Sequence, residues 1–346
     1  MTERTTYGEA IRQGFRHLLA SDPKVFVIGQ GLWSPWYVGS SMTDLDKEFG
    51  RERIIDTPVS EQACTSAALG AALCGYRPVV VHPRVDFMLL AVDSMVNQAA
   101  KWHHMFGGRL TAPVTIRGII NRGGEQGAQH SQALHSWFAH VPGLRVVMPA
   151  TPADARDLLV AAVRSPDPVL YIDDRWLYAE EEAIGPVAEP DLTSQGPAVR
   201  RAGRDLTFVA CGYSVVLCLK AARTLEEVGI DCEVIDLRVL NPFDAGPVLA
   251  SVARTGRLVA VDGDWTTCGV AGEVIARAAE ALDPRQWKAK PARVTLTDAP
   301  APTSAALEKL YYPTVEDVCR TARAVVSVDH HEAPVRPDRR HVRAAR

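Results

Sequence analysis

The feature that most constrains this chain is an alternation. Short, mostly apolar runs at 25–28, 79–81, 113–117, 144–148 and 168–172 are separated by segments with helical spacing. A strand that is apolar at successive positions is buried on both faces, so these runs predict mostly parallel sheets covered by helices. Tyr7, Ile11, Phe15, Leu18 and Leu19 recur at helical spacing and predict a helix before the first strand. An Ala/Gly-rich segment at 62–75, a long helix from about Phe87 to Met105, and a helix at 152–164 fill the gaps between later strands. A second alternating set begins at Leu206, with strands at 206–210, 232–237 and 257–261 and helices at 214–228, 244–254 and 270–281. Residues 179–204 interrupt the pattern with Gly185-Pro186, Glu189-Pro190 and Gly196-Pro197, pairs that favour turns. The expected organisation is an α/β domain over 1–180, a linker over 181–204, a second α/β domain over 205–328 and a basic tail over 329–346. Arg336, Arg339, Arg340, Arg343 and Arg346 lie among prolines and histidines there and predict a disordered end.

Composition narrows the function classes. A net charge of −3 provides no general basic field for nucleic acid. No apolar run is long enough to span a bilayer, and Met1 to Tyr7 contain no signal-peptide core, so no membrane partner is expected. Seven cysteines, at 64, 74, 211, 218, 232, 268 and 319, form no Cys-x-x-Cys pair. Mostly apolar surroundings predict free buried thiols and a cytoplasmic location. His130, His135 and His140 recur every five residues, which does not place imidazoles on one helical face for zinc. The loop Gly123-Gly124-Glu125-Gln126-Gly127 lacks the Lys-Ser/Thr continuation of a phosphate cradle.

Four segments are more specific. They are Ile54-Ile55-Asp56-Thr57-Pro58-Val59-Ser60-Glu61; Tyr76 to Val80 continuing through Asp86-Phe87 to Asn97-Gln98-Ala99-Ala100-Lys101; Gln129-His130-Ser131-Gln132 with Trp137 and His140-Val141-Pro142-Gly143-Leu144; and Val234 to Arg238 with Gly256 to Val259 and Ala306-Leu307-Glu308. In this order they resemble the β-subunit of the thiamine-diphosphate-dependent decarboxylating component of pyruvate and branched-chain 2-oxo acid dehydrogenases. The resemblance runs through nearly the whole chain. It implies a pyrimidine-binding domain followed by a transketolase-type C-terminal domain.

The resemblance also implies roles for particular residues. Glu61 matches the carboxylic acid that hydrogen-bonds the cofactor's pyrimidine ring and promotes the imino tautomer that deprotonates the thiazolium carbon. Burial in an apolar setting would keep a proton on such an acid. A first-turn glutamate also suits the helix dipole without any catalytic role. Phe87 matches the aromatic that packs on the aminopyrimidine ring, and His130 matches a histidine facing the reaction centre, there to stabilise or protonate the adduct and contact substrate. Family members use Gly-Asp-Gly and downstream asparagines to hold Mg²⁺ and the diphosphate. Here Asp262-Gly263-Asp264 is followed by Trp265, with no matching asparagine. The implied partner is an α-subunit carrying the Mg²⁺ and diphosphate site, together with a second copy of this chain and a lipoyl or related carrier. A monovalent-cation site, K⁺, is implied at Val114, Ala162, Val163, Ser165 and Asp167, chiefly through carbonyl oxygens, with Ser165 where the family has an acid.

Two departures bear on the substrate. Gln30, in Gly29-Gln30-Gly31, replaces an acid expected near the cofactor and the subunit interface. His82 and Arg84 precede Phe87 where the family has Glu-Phe-Met, and Arg84 could pair with an anionic substrate or form an interface ion pair. The expected activity is decarboxylation of a 2-oxo acid with acyl transfer to a lipoyl or related carrier. The alternatives are a split transketolase-like enzyme moving a two-carbon ketol unit from a sugar phosphate, and a non-catalytic structural subunit.

Overall fold

A computed structural model describes residues 3–327; the basic tail expected at 329–346 lies outside them. Among the described residues the strands form three sheets. The largest has seven strands in the order Val239–Asn241, Arg145–Val147, Val169–Asp174, Thr115–Ile120, Arg77–His82, Val25–Gln30 and Ile54–Thr57. The second has five, in the order Ala292–Leu296, Leu258–Trp265, Leu206–Ala210, Cys232–Asp236 and Ala198–Arg201. Most neighbours are parallel, and Thr115–Ile120 and Val169–Asp174 are buried at every position. The fold is therefore the two-part α/β arrangement of mostly parallel sheets flanked by helices that the apolar strands predict.

The helices that cover the first sheet begin where the sequence supplies caps. Thr6 accepts a hydrogen bond from the Glu9 amide and starts the helix Tyr7–Ser21. Thr151 does the same for the Asp154 amide, with Pro152 at the first helical position of Pro152–Arg164. These two helices pack together, and their apolar faces join strand residues such as Val27, Val79 and Tyr171 in one core. Phe138, Ile116, Leu170 and Ile235 belong to a second core that continues from the other face of this sheet into the second domain.

Four features differ from the sequence-based expectation. The stretch 181–204 carries two strands: Glu181–Ile184 pairs antiparallel with Glu3–Thr6, and Ala198–Arg201 joins the second sheet. The Gly-Pro pairs mark the ends of these strands and do not make the whole stretch irregular. The helix expected over 87–105 is divided into Val85–Met88, a 3₁₀ turn at Leu89–Ala91, a π-helical stretch at Asp93–Ala99 and an α-helix at Ala100–Met105. The wider π turn re-aims side chains, and buried Ser94 reaches Ser66 at 2.8 Å. Strand Ala292–Leu296 and helix Val315–Val326 extend the second domain, the helix starting at a capping box between Thr314 and Asp317. Finally, Val239–Asn241 leaves the second half of the chain and pairs antiparallel with Arg145–Val147 at the edge of the first sheet.

Candidate active site

The strand order creates a crevice. From Val25–Gln30 the chain moves to the edge strand Ile54–Thr57, then crosses to Arg77–His82 on the opposite side of Val25–Gln30. Where strand order reverses in this way, connections leaving the carboxyl ends diverge and a crevice opens between them. Gln30 and His82 end two of these strands, and Glu61 opens the helix Glu61–Leu73 that follows the third. All three line one pocket with Ser60, Cys64 and Pro83. The strands approach closely here: a Cβ on Gly29 would lie 2.3 Å from the Val81 carbonyl oxygen. Gly31, at φ +70°, then turns the chain into a loop that carries Trp33, Trp36 and Tyr37. That loop folds back on the strand ends, with Trp33 Nε1 donating to the Ile54 carbonyl at 2.8 Å and Gln30 Nε2 donating to the Tyr37 hydroxyl at 2.8 Å.

Glu61 is half-buried in this chain, which by itself does not supply the full apolar enclosure expected from the sequence. Its carbonyl accepts the Thr65 hydroxyl at 2.8 Å, and Thr65 Oγ1 meets His82 Nε2 at 3.1 Å. His82 is only 2% exposed. Burial lowers its pKa from 6.5 to about 4, so the ring is neutral at pH 7.

A second group is organised by the segment that follows. Phe87 and His130 meet edge to face, with ring centroids 5.2 Å apart, and Phe87 remains 39% exposed. Arg84 Nη1 donates to the carbonyls of Asn121 and His130, both at 2.9 Å. Asp86 accepts from both the backbone amide and the side-chain amide of Gln132, at 3.1 and 3.0 Å. Burial pushes the Asp86 carboxyl upward, opposed by the two Gln132 bonds. Arg84 and Asp86 therefore clamp the loop carrying His130 beside Phe87. This geometry bears on the substrate contacts expected of His82 and Arg84. His82 carries no charge at neutral pH, and Arg84 spends its Nη1 donors on backbone carbonyls inside the chain.

The expected cation positions lie at the amino ends of the strands, away from the crevice at their carboxyl ends. Val114 precedes the strand Thr115–Ile120, while Ala162 and Val163 close the helix Pro152–Arg164 and Ser165 caps it. Arg77 Nη1 donates to the carbonyls of Val163 and Ser165, at 2.9 and 3.2 Å. The Val114 carbonyl accepts the Val169 amide at 3.0 Å, and Asp167 pairs with Arg145 at 3.2 Å. The Arg77 guanidinium thus places a positive charge beside the Val163 and Ser165 carbonyls, two of the five positions expected to hold K⁺.

Residues 3–180 match the family described as "Transketolase, pyrimidine binding domain", and residues 196–318 match "Transketolase, C-terminal domain". Pyruvate dehydrogenase E1 component subunit beta of Rhizobium meliloti is 36% identical over 321 residues, covering 92% of this chain and 69% of its own length. The chain belongs to this transketolase-like, thiamine-diphosphate-dependent β-subunit family. Acetoin:2,6-dichlorophenolindophenol oxidoreductase subunit beta of Cupriavidus necator is likewise 36% identical, covering 96% of this chain and 100% of its own length. A mitochondrial pyruvate dehydrogenase E1 subunit beta-1 of Arabidopsis thaliana is 37% identical over 328 residues, 92% of this chain and 88% of that one. A solved structure titled "Split gene transketolase, inactive beta4 tetramer" superposes with a TM-score of 0.73 at 21% identity, covering 94% of this chain and 97% of its own, and shares the fold.

In this family member the Asp262-Gly263-Asp264 segment is an interdomain contact. The Gly263 carbonyl accepts Arg122 Nη1 at 2.7 Å, and Asp262 Oδ1 meets His135 Nε2 at 2.9 Å. Sequence reasoning passed over Thr65, Asp86 and Gln132 as site residues. Asp86 and Gln132 are brought together across 46 positions by the fold, and no local spacing announces that contact. No helix among the described residues is long and apolar enough to cross a membrane.

Proposed function

We propose that this chain is the β-subunit of a two-subunit enzyme that decarboxylates a 2-oxo acid and passes the acyl group to a lipoyl or related carrier. The observation that carries the proposal is the placement of Gln30 and Glu61 in one switch-point crevice, with Phe87 and His130 paired on the connections that leave the next two strands, Arg77–His82 and Thr115–Ile120. Bound thiamine diphosphate would supply the carbon nucleophile and electron sink. Glu61 holds a proton toward the pyrimidine ring nitrogen, and Phe87 offers an exposed flat face for stacking. His130, held in place through the contacts of Arg84 and Asp86 with its loop, faces the reacting end as a proton carrier. The α-subunit supplies the Mg²⁺ and diphosphate contacts, and its docking completes the enclosure of the half-buried Glu61. No specific observation favours the sugar-phosphate alternative, because His82 and Arg84 are engaged within the chain.

The test is binding to the purified chain without its partner. Calorimetric titration with thiamine diphosphate and Mg²⁺ should give at most weak, millimolar association, and adding the α-subunit should restore tight binding. Micromolar binding by the lone chain would overturn the shared site.

The proposed assembly pairs two copies of this chain with two α-subunits. Ala63, Ala67, Gly70 and Cys74 form an exposed stripe of small side chains along Glu61–Leu73 and its cap. A Cβ added at Gly70 meets nothing within 4 Å in the chain itself. Gly70→Leu should therefore leave the lone chain at least as stable, gaining up to about 1 kcal/mol in helix propensity. At an interface the same side chain should overpack, at roughly 1–3 kcal/mol, and weaken assembly and activity together. Sedimentation of the mixed subunits and melting of the lone variant check both statements. Normal assembly with early melting would place this helix face within its own domain.

A further inference from the structure

Away from the crevice, the two domains meet at a buried cluster of three unlike ligands. His135 opens the helix His135–Ala139 of the first domain, while Cys211 follows the strand Leu206–Ala210 and Asp262 lies in the strand Leu258–Trp265 of the second. The last two strands are parallel neighbours with Ala210 opposite Val261, which sets Cys211 beside Asp262. His135 is 0% exposed, Cys211 3% and Asp262 2%. His135 Nε2 is 2.9 Å from Asp262 Oδ1, and Cys211 Sγ is 3.9 Å from each of these atoms.

We propose that His135, Cys211 and Asp262 form a structural site for a zinc-class divalent ion that fastens the first domain to the second. The separations suit ligands standing roughly 2.0–2.3 Å from a common zinc. Thiolate, imidazole and carboxylate together select zinc over magnesium or calcium. The fourth donor is Asp262 Oδ2, which is buried and has no hydrogen-bond partner, so a bidentate carboxylate completes four-coordination. His135 Nδ1, also buried and unpartnered, carries the ring proton when Nε2 binds the ion. Binding displaces the thiol proton and the proton shared by His135 and Asp262 to solvent. A divalent ion with one thiolate and one carboxylate then has no net charge, which limits the cost of burying it. Nearby Arg122 is committed to Asp174 at 2.5 Å and to the Gly263 carbonyl. His135 lies five positions after His130, so the ion would anchor the same segment that presents His130 to the crevice.

The experiment uses the full chain, purified without a histidine tag or chelator and saturated with ZnSO₄ before desalting. Elemental analysis should find about one zinc per chain, falling below about a tenth in Cys211→Ser and in Asp262→Asn. Exchange with Co²⁺ should give a near-ultraviolet thiolate-to-cobalt charge-transfer band in the wild type. A wild-type chain that retains less than a tenth of a zinc, or binds Co²⁺ without the thiolate band, overturns the site. The wild-type measurements decide the matter even if a variant fails to fold. A folded Cys211→Ser variant that keeps its full zinc content also overturns it.

Discussion

Complexes carrying Glu61→Gln should assemble normally and lose roughly 10²–10⁴ of turnover, the range a positioned proton-transfer group contributes. Glutamine preserves the size of the side chain but cannot hold a proton toward the pyrimidine nitrogen. Glu61 opens its helix and sits at the rim of the crevice, where its side chain is half-buried and supports no core packing. The loss should therefore fall on chemistry rather than folding. Hydrogen–deuterium exchange at the thiazolium carbon of the assembled complex measures that step directly. Exchange at the wild-type rate in the variant would remove Glu61 from the mechanism.

The largest expected effect on stability lies beneath the first sheet. Arg117 and Asp173 are both fully buried on adjacent parallel strands, joined by two bonds of 2.9 and 3.0 Å. Arg117 Nη2 also donates to Ser41 Oγ and the Tyr178 hydroxyl, and that hydroxyl donates to Asp173 Oδ2 at 2.5 Å. Burial opposes the Arg117 charge, but Asp173 and the tyrosines more than offset it and hold the guanidinium protonated. Burial likewise pushes the Tyr178 hydroxyl well above its ordinary value. Asp173→Ala would leave a guanidinium uncompensated in the core, and should cost about 3–5 kcal/mol. The double replacement Arg117→Met with Asp173→Leu should recover most of that loss, because an apolar pair leaves no buried charge. Urea unfolding of the lone chains gives both differences. A single variant within 1 kcal/mol of wild type would mean that water reaches Arg117.

Much of this architecture is legible in the sequence because burial on both faces leaves a mark. Val79-Val80-Val81 can only be comfortable between helices, and Thr151-Pro152 announces the helix it begins. The position of Glu61 at the opening of a small-residue helix is equally visible. The breaks in 87–105 are not, because a π turn alters facing without requiring a proline or a distinctive composition. The carbonyl contacts of Arg84 are hidden for a related reason. An arginine before an aromatic looks like an anion contact, whereas its partners are carbonyls 37 and 46 positions away that only the folded sheet brings near. His135 gave the same difficulty: regular spacing with His130 and His140 directs attention to its neighbours in sequence. Its actual neighbours are Cys211 and Asp262, supplied by the other domain.

The short strand Val239–Asn241 makes the two halves of this chain interdependent. Arg145–Val147 would otherwise form the border of the large sheet, with a row of backbone donors and acceptors turned outward. An excised first half would display that row to any passing strand, including its own copy, and self-association is the ordinary fate of such a border. The second half thus acts toward the first as a resident chaperone. Recombination between relatives should tolerate exchange of whole chains far better than exchange of halves.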